Sequence, residues 1–205
     1  MVGCLIVFWL LRVIAFRAAR QITIVSLLFG ALVGSVALLP VPVSLSAQVA
    51  RANEAELKAA FLYNFIKFTE WPREEMANKK DPFVIGVLGK DPFGAALDRA
   101  IEGETFQQKP IVVRRFSRMD ESVGNSHALF IGASEESNLP MILKLLDRQA
   151  ILTMSEIENF VERGGGIQLQ KEGNKLAFEV NVGAARRAGL GISAQLLRLA
   201  KLVKQ

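Results

Sequence analysis

The sequence predicts an α/β fold: a three-layer α/β/α sandwich whose mixed, mostly parallel sheet has about five or six strands, with a C-terminal β-hairpin and helices. Short, continuous apolar runs such as 83–88 are typical of strands that are covered on both faces. These runs alternate with helical patterns, which favours parallel pairing through right-handed crossovers. Near the end, two segments of alternating polarity follow three glycines at 164–166, and this pattern predicts a hairpin.

The N-terminal segment differs in composition from the rest of the chain. Residues 1–47 contain three of the 25 basic residues and no acidic one, so residues 48–205 carry the other 22 basic and all 20 acidic residues, a net charge of +2. That balance lacks the concentrated basic face of a nucleic-acid-binding protein, so no nucleic-acid partner is expected. We expect residues 48–205 to form a single domain.

Residues 1–47 are predicted to be either a cleaved signal peptide or an uncleaved signal anchor. Basic residues precede an apolar stretch over 22–39, and small residues follow it, with a plausible cleavage point after Ser46 or Ala47. The same 18 apolar residues are about long enough to span a bilayer. The extra apolar run at 2–16 is unusual in a signal peptide and fits an over-long gene call. Both alternatives place residues 48–205 outside the cytoplasm.

The first predicted helix of residues 48–205 begins near Asn53 and ends at Trp71-Pro72, because the residue before a proline avoids the helical region. Its predicted buried face recurs at a spacing of three to four residues. That face comprises Leu57, Ala60, Phe61, Asn64, Phe65 and Phe68. After the strand at 83–88, Asp91 is the predicted cap of a helix that runs to about Ile101.

The remaining predicted elements alternate in the same way. Further strands are expected at 110–116, 128–131 and 150–154. Helices are expected at 139–146, from the last of those strands to Val161, after a cap at Asn181, and from Ser193 with Leu196, Leu199, Ala200 and Val203 facing inward. The hairpin arms are expected at 167–171 and 175–180.

The residue inventory disfavours catalysis and metal binding. The chain has one cysteine, Cys4, and one histidine, His127, which excludes an intrachain disulfide, a cysteine-ligated zinc site and a multi-histidine metal site. Ser134 lies in a segment that resembles a nucleophile elbow, but Glu136 stands where the second glycine is required. We therefore predict no catalytic residue, no metal, no cofactor and no enzymatic activity.

Two groups of residues are candidates for binding. Open α/β sheets bind ligands beyond the carboxyl ends of their strands, where Lys90 and Arg115 would favour an anion. The full ligand-binding group is Lys90, Asp91, Arg115, Ser134 and Ser155. The alternative is that these are ordinary surface residues.

The second group is predicted to contact a protein partner, because its members lie off the expected buried face of the first helix or in an exposed basic stretch. It comprises Tyr63, Lys67, Trp71, Arg186 and Arg187. For Trp71, packing within its own domain is the competing interpretation.

Several segments resemble the YfiR-like family of exported regulatory proteins. The most specific are 58–72 (KAAFLYNFIKFTEWP) and the closing segments 184–190 and 193–200. Residues 83–94, 127–131, 151–155, 160–167 and 178–181 are also similar, so the resemblance covers nearly all of residues 54–204.

This resemblance implies a periplasmic, dimeric regulator that represses an inner-membrane diguanylate cyclase by binding its periplasmic sensor domain. Relief of that repression would raise cyclic di-GMP. The best-known members carry disulfide-forming cysteines, whereas residues 48–205 contain none, so a redox switch of that kind is not expected here. The alternative function is a periplasmic small-ligand-binding accessory of a sensor kinase or an uptake receptor.

Overall fold

An eight-stranded mixed sheet organises the residues that the computed structural model describes, which are 44–77, 81–173 and 175–205. Residues 1–43, which hold most of the predicted signal segment, lie outside the described residues, whereas residues 44–47 begin the first helix. The described residues form one unit of dense internal contacts. Among the described residues, no helix combines the length and the hydropathy needed to cross a bilayer.

The strands and helices alternate along the chain. The strands are β1 (Thr69–Glu70), β2 (Phe83–Leu88), β3 (Thr105–Phe106), β4 (Lys109–Phe116), β5 (Ala128–Ile131), β6 (Leu152–Ser155), β7 (Ile167–Glu172), β8 (Lys175–Asn181), β9 (Gly191–Ile192) and β10 (Leu202–Lys204). The α-helices are α1 (Ser44–Lys67), α2 (Arg73–Met76), α3 (Ala95–Ile101), α4 (Leu139–Leu145), α5 (Val182–Arg187) and α6 (Ala194–Leu197). Two 3₁₀ helices cover Glu121–Asn125 and Ala133–Asn138.

The sheet has the order β10-β8-β7-β6-β5-β2-β4-β3, and β1 pairs with β9 in a separate two-stranded sheet. Pairing is parallel from β4 through β2, β5 and β6 to β7, while β7 and β8 form the antiparallel hairpin. The predicted mixed, mostly parallel α/β class is confirmed. The strand count is larger than predicted, because the short edge strands β3 and β10 extend the sheet.

Both faces of the sheet are covered, which explains the continuous apolar strands. Side chains alternate between two hydrophobic clusters, as β5 illustrates: Ala128 and Phe130 face α1, α3 and α5, whereas Leu129 and Ile131 face α4. Burial on both faces removes the polar alternation of a half-exposed strand, so these runs could be recognised from the sequence.

The predicted buried face of α1 was wrong in part. The buried apolar positions are Ala59, Leu62, Phe65 and Ile66, whereas Leu57 is 38% exposed. Apolar residues occur around much of the circumference of this helix. Their spacing is therefore compatible with two overlapping buried faces, and the sequence did not distinguish between them. The helix also begins at Ser44 rather than near Asn53.

Three other local predictions were wrong. Asp91 does not cap a helix directly; its Oδ1 accepts from the backbone of Phe93 and Gly94 in a turn, and α3 begins only at Ala95. Residues 156–164 form turns rather than a helix. The predicted last helix stops at Leu197, and β10 follows because the open side of β8 accepts a strand there.

Candidate functional site

Tyr63 and Lys67 form a joint feature on the surface of α1. They are four residues apart on the helix, and Lys67 Nζ lies 5.2 Å from the centroid of the Tyr63 ring, a cation–π distance. The Tyr63 hydroxyl donates to Glu104 Oε2 at 2.6 Å, and burial together with this carboxylate raises the pKa of Tyr63. Tyr63 thus ties α1 to the turn before β3, while the Lys67 side chain is exposed.

Trp71 is a core residue. It is 7% exposed, and its ring packs edge-on against Phe83 and Phe106. Its Nε1 donates to the carbonyl oxygens of His127 at 3.2 Å and Ala150 at 3.1 Å. A side chain this buried does not fit a direct contact with a protein partner. In the structure, Trp71 packs within its own domain, which was the competing interpretation.

The basic pair at 186–187 lies at the C-terminal end of α5, where cations are favoured by the helix dipole. Arg186 and Arg187 are both exposed. Arg187 lines a cleft that is described below.

At the carboxyl ends of the strands, Arg115 is held by two carboxylates. Its Nε lies 2.8 Å from Asp91 Oδ2 and its Nη2 lies 2.6 Å from Asp98 Oδ2, with a further bond to the Gly94 carbonyl. These bonds raise the pKa of Arg115 and lower the pKa of Asp98. The guanidinium that we expected to meet an anion is therefore engaged by the protein itself.

The other candidates at this edge also hold the fold together. Ser134 Oγ accepts from the Lys90 backbone N–H at 2.9 Å, and a Cβ at Gly132 would come within 2.5 Å of the Lys90 carbonyl oxygen. Ser155 is fully buried; its hydroxyl donates to the Ile131 carbonyl at 2.7 Å and accepts from a backbone N–H. The loops after β2 and β5, where connections leave in opposite directions, are joined by the contacts of Ser134 and Gly132 with Lys90.

A large cleft lies instead at the amino ends of β2, β5 and β6. Its volume is about 950 Å³, within the range of small-molecule sites. Its ionisable lining residues are Glu74, Glu75, Asp81, Lys109, Arg114, His127, Arg148 and Arg187. Sequence reasoning missed this cleft, because its walls come from segments that are far apart along the chain. The lone histidine and the exposed arginines were the available signals.

His127 is fixed in one tautomer at the wall of this cleft. Its Nδ1 accepts from the Val84 backbone N–H at 3.0 Å, and its ring stacks on Phe83 with centroids 4.6 Å apart. Burial, and secondarily the charge of Lys109, lowers the pKa of His127. The imidazole is therefore neutral at pH 7, and its proton is on Nε2, which is a hydrogen-bond donor.

Comparison with known protein families shows which family this chain belongs to. Residues 55–201 match the family DUF4154, described as YfiR/HmsC-like, which is more than two thirds of the chain. The chain belongs to the YfiR/HmsC-like family. No curated protein matches it. The family consists of periplasmic regulators of cyclic di-GMP signalling and is regulatory rather than catalytic.

An ionic cluster joins the start of this YfiR/HmsC-like domain to its sheet. Glu54 lies 2.7 Å from both Lys58 and Lys171, and the largely buried Lys58 lies 2.7 Å from Glu156. The hydrogen bond from Lys171, followed by that from Lys58, lowers the pKa of Glu54 to about 2. Among the described residues, no three His, Cys, Asp or Glu side chains gather as a metal site requires.

Proposed function

We propose that residues 48–205 are exported to the periplasm, where they bind and repress the periplasmic sensor domain of an inner-membrane diguanylate cyclase. One observation carries the proposal: the YfiR/HmsC-like match extends over residues 55–201, from α1 to the segment before β10. We further propose that the chain acts as a homodimer and by binding alone, without catalysis or a cofactor.

Repression requires only unequal affinity for two states of the sensor domain. A regulator that binds the inactive state tenfold more tightly shifts the equilibrium toward it by about 1.4 kcal/mol when it is saturating. No bond needs to be made or broken. The signal then acts by changing the amount of free regulator or its shape.

We propose the exposed part of α1 as the contact surface, with Tyr63 and Lys67 at its centre and Arg186 and Arg187 as further contacts. The pair presents an aromatic ring, a residue type that is enriched in protein interfaces, beside a positive charge that can pair with an acidic surface on the partner. The bond from Tyr63 to Glu104 keeps this pair in place before a partner arrives, which lowers the entropic penalty of binding. Trp71 packs in the core after α1 and is not part of this surface.

The decisive experiment is the cellular concentration of cyclic di-GMP, measured with the gene deleted and then restored. We expect deletion to raise cyclic di-GMP and the full-length chain to bring it back. A copy whose N-terminal segment has lost Arg12, Arg17 and Arg20 and carries charged residues in 22–39 should not be exported and should not complement.

An unchanged concentration, in cells shown to make the protein, would contradict repression. Complementation by the export-deficient copy would contradict a periplasmic site of action. Mass spectrometry of the purified protein shows whether residues 1–47 are removed. Sedimentation velocity shows whether the protein is a dimer.

A further inference from the structure

We propose that the cleft at the amino ends of β2, β5 and β6 binds a small organic anion, a carboxylate or a phosphate, through Arg148 and Arg187. This site is distinct from the carboxyl-end residues expected from the sequence. The inference concerns binding by this chain alone and does not depend on repression of a cyclase.

Two guanidinium groups converge at one end of the cleft on a single carboxylate. Arg148 Nε lies 3.8 Å from Asp147 Oδ2, and Arg187 Nε lies 4.0 Å from Asp147 Oδ1. Both separations exceed hydrogen-bond length, so the donors of the two forks are not used by Asp147. Two positive charges thus share one negative charge, which leaves a net charge of +1 and free donors suited to a bidentate oxyanion.

The backbone presents Arg148 in an uncommon conformation. Its φ of 61° lies in the left-handed region, which residues with a Cβ seldom adopt. The turn around it is held by Gln149, whose side chain donates to the Leu145 carbonyl at 2.8 Å and whose backbone N–H donates to the Leu146 carbonyl. These two hydrogen bonds hold the turn that places Arg148 at the wall of the cleft.

The rest of the cleft suits the organic part of a ligand. The half-buried Pro72 supplies apolar surface, and the Nε2–H of His127 is a donor without a hydrogen-bond partner among the described residues. A second, smaller cavity of about 40 Å³ is also lined by these two arginines, together with Thr153.

The acidic side chains in the lining limit what can bind. Glu74, Glu75 and Asp81 carry negative charge into the same cleft as Lys109 and Arg114. A polyanion would be repelled by those carboxylates, whereas a compact ligand with one anionic group can meet the two arginines alone.

The test is a titration of the purified full-length chain, tag-free and in a nonionic detergent, with inorganic phosphate and separately with benzoate. Because His127 is the only histidine in the sequence, its imidazole ¹³Cε1–¹H signal needs no assignment and reports binding in this cleft. We expect at least one probe to shift that signal saturably in the millimolar range. The two titrations distinguish a phosphate from a carboxylate site.

The variant R148Q/R187Q should weaken the binding at least tenfold, and Arg187→Lys, which keeps the charge but not the fork, should weaken it less. Both side chains are exposed, so circular dichroism should be unchanged. The matched control R118Q/R198Q removes two exposed charges that do not line the cleft and should bind as the parent does.

The proposal is overturned if neither probe shifts the His127 signal saturably. It is also overturned if R148Q/R187Q binds as tightly as R118Q/R198Q. These outcomes are independent of cyclic di-GMP levels, so failure here leaves the proposed repression standing, and the reverse also holds.

Discussion

Single side chains of the family-like segment 58–72 have different tasks, although they are close in sequence. Trp71 is bound to the segments that enter β5 and β6 through its two carbonyl contacts, while Lys67, four residues earlier at the end of α1, is exposed. The chain thus separates a structural aromatic from a surface charge within five residues. Variants of Trp71 should therefore change stability, and variants of Lys67 should change partner binding.

Replacing Trp71 should destabilise the fold. We expect Trp71→Ala to lower the free energy of unfolding by about 3–5 kcal/mol, since a large buried ring and its packing are lost. Trp71→Phe keeps much of the ring but leaves the Ala150 carbonyl without its donor, whereas the His127 carbonyl keeps the Leu152 backbone N–H, so about 1–3 kcal/mol should be lost. Urea unfolding followed by circular dichroism measures both. A Trp71→Ala protein as stable as the parent would contradict the core assignment.

Reversing the charge of Lys67 should affect partner binding and not stability. We expect Lys67→Glu to weaken capture of the cyclase sensor domain roughly tenfold, or about 1.4 kcal/mol, with an unchanged melting temperature. The matched control is Lys144→Glu on α4, which reverses an exposed charge elsewhere. The measurement is co-purification of each variant with the cyclase. That cyclase is identified as the one whose deletion suppresses the rise in cyclic di-GMP caused by deleting the gene for this chain. Equal loss in both variants would indicate a general charge effect and contradict the α1 surface.

At the scale of elements, the sheet depends on a close approach between the loops after β2 and β5. Gly132 lies against the Lys90 backbone, and Ser134 bonds to the same residue. Because β2 and β5 are central strands, this contact joins the part of the sheet with β4 to the part with β6 and β7. The glycine is required by space, not by an unusual φ.

Gly132→Ala should therefore be destabilising. A methyl group 2.5 Å from a carbonyl oxygen forces the two loops apart, and we expect a loss of about 1–3 kcal/mol in the free energy of unfolding. Gly124→Ala is the matched control, since its Cβ would meet only the end of the Gln149 side chain at 3.3 Å. Thermal unfolding of both variants is the measurement. Equal melting temperatures would show that the loops can separate freely.

At the scale of the whole molecule, the ionic cluster around Glu54 links stability to pH. Lys171 belongs to β7, Glu156 follows β6, and Glu54 and Lys58 belong to α1, so the cluster fastens the helix layer to the sheet. The pKa of Glu54 is lower in the folded state, at about 2, than its ordinary value of 4.5. A lowered carboxylate pKa stabilises the fold above pH 4.5, and that contribution disappears as the pH falls toward 2.

Glu54→Gln should remove this pH-dependent contribution. We expect the variant to be less stable than the parent at pH 7 by about 1 kcal/mol, since the cluster is partly exposed, and equally stable near pH 2. Glu102→Gln is the control, because Glu102 is exposed and makes no ion pair among the described residues. Urea unfolding from pH 7 to pH 2 is the measurement. A constant difference between parent and Glu54→Gln at every pH would contradict the cluster's role.

The sequence alone determined the α/β class, the bounds of β2 and β5, and the hairpin. These features depend on residues that are adjacent in sequence: a continuous apolar run indicates a strand buried on both faces, and a short polar segment between two strands indicates a turn. Edge strands carry no such signal: Leu202–Lys204 pairs with β8 only because that edge is open. The sites needed the tertiary structure for the same reason. Asp98 reaches Arg115 across 17 residues, and Trp71 reaches Ala150 across 79. Whether a charge or a ring is free for a partner depends on such distant contacts, which local pattern does not encode.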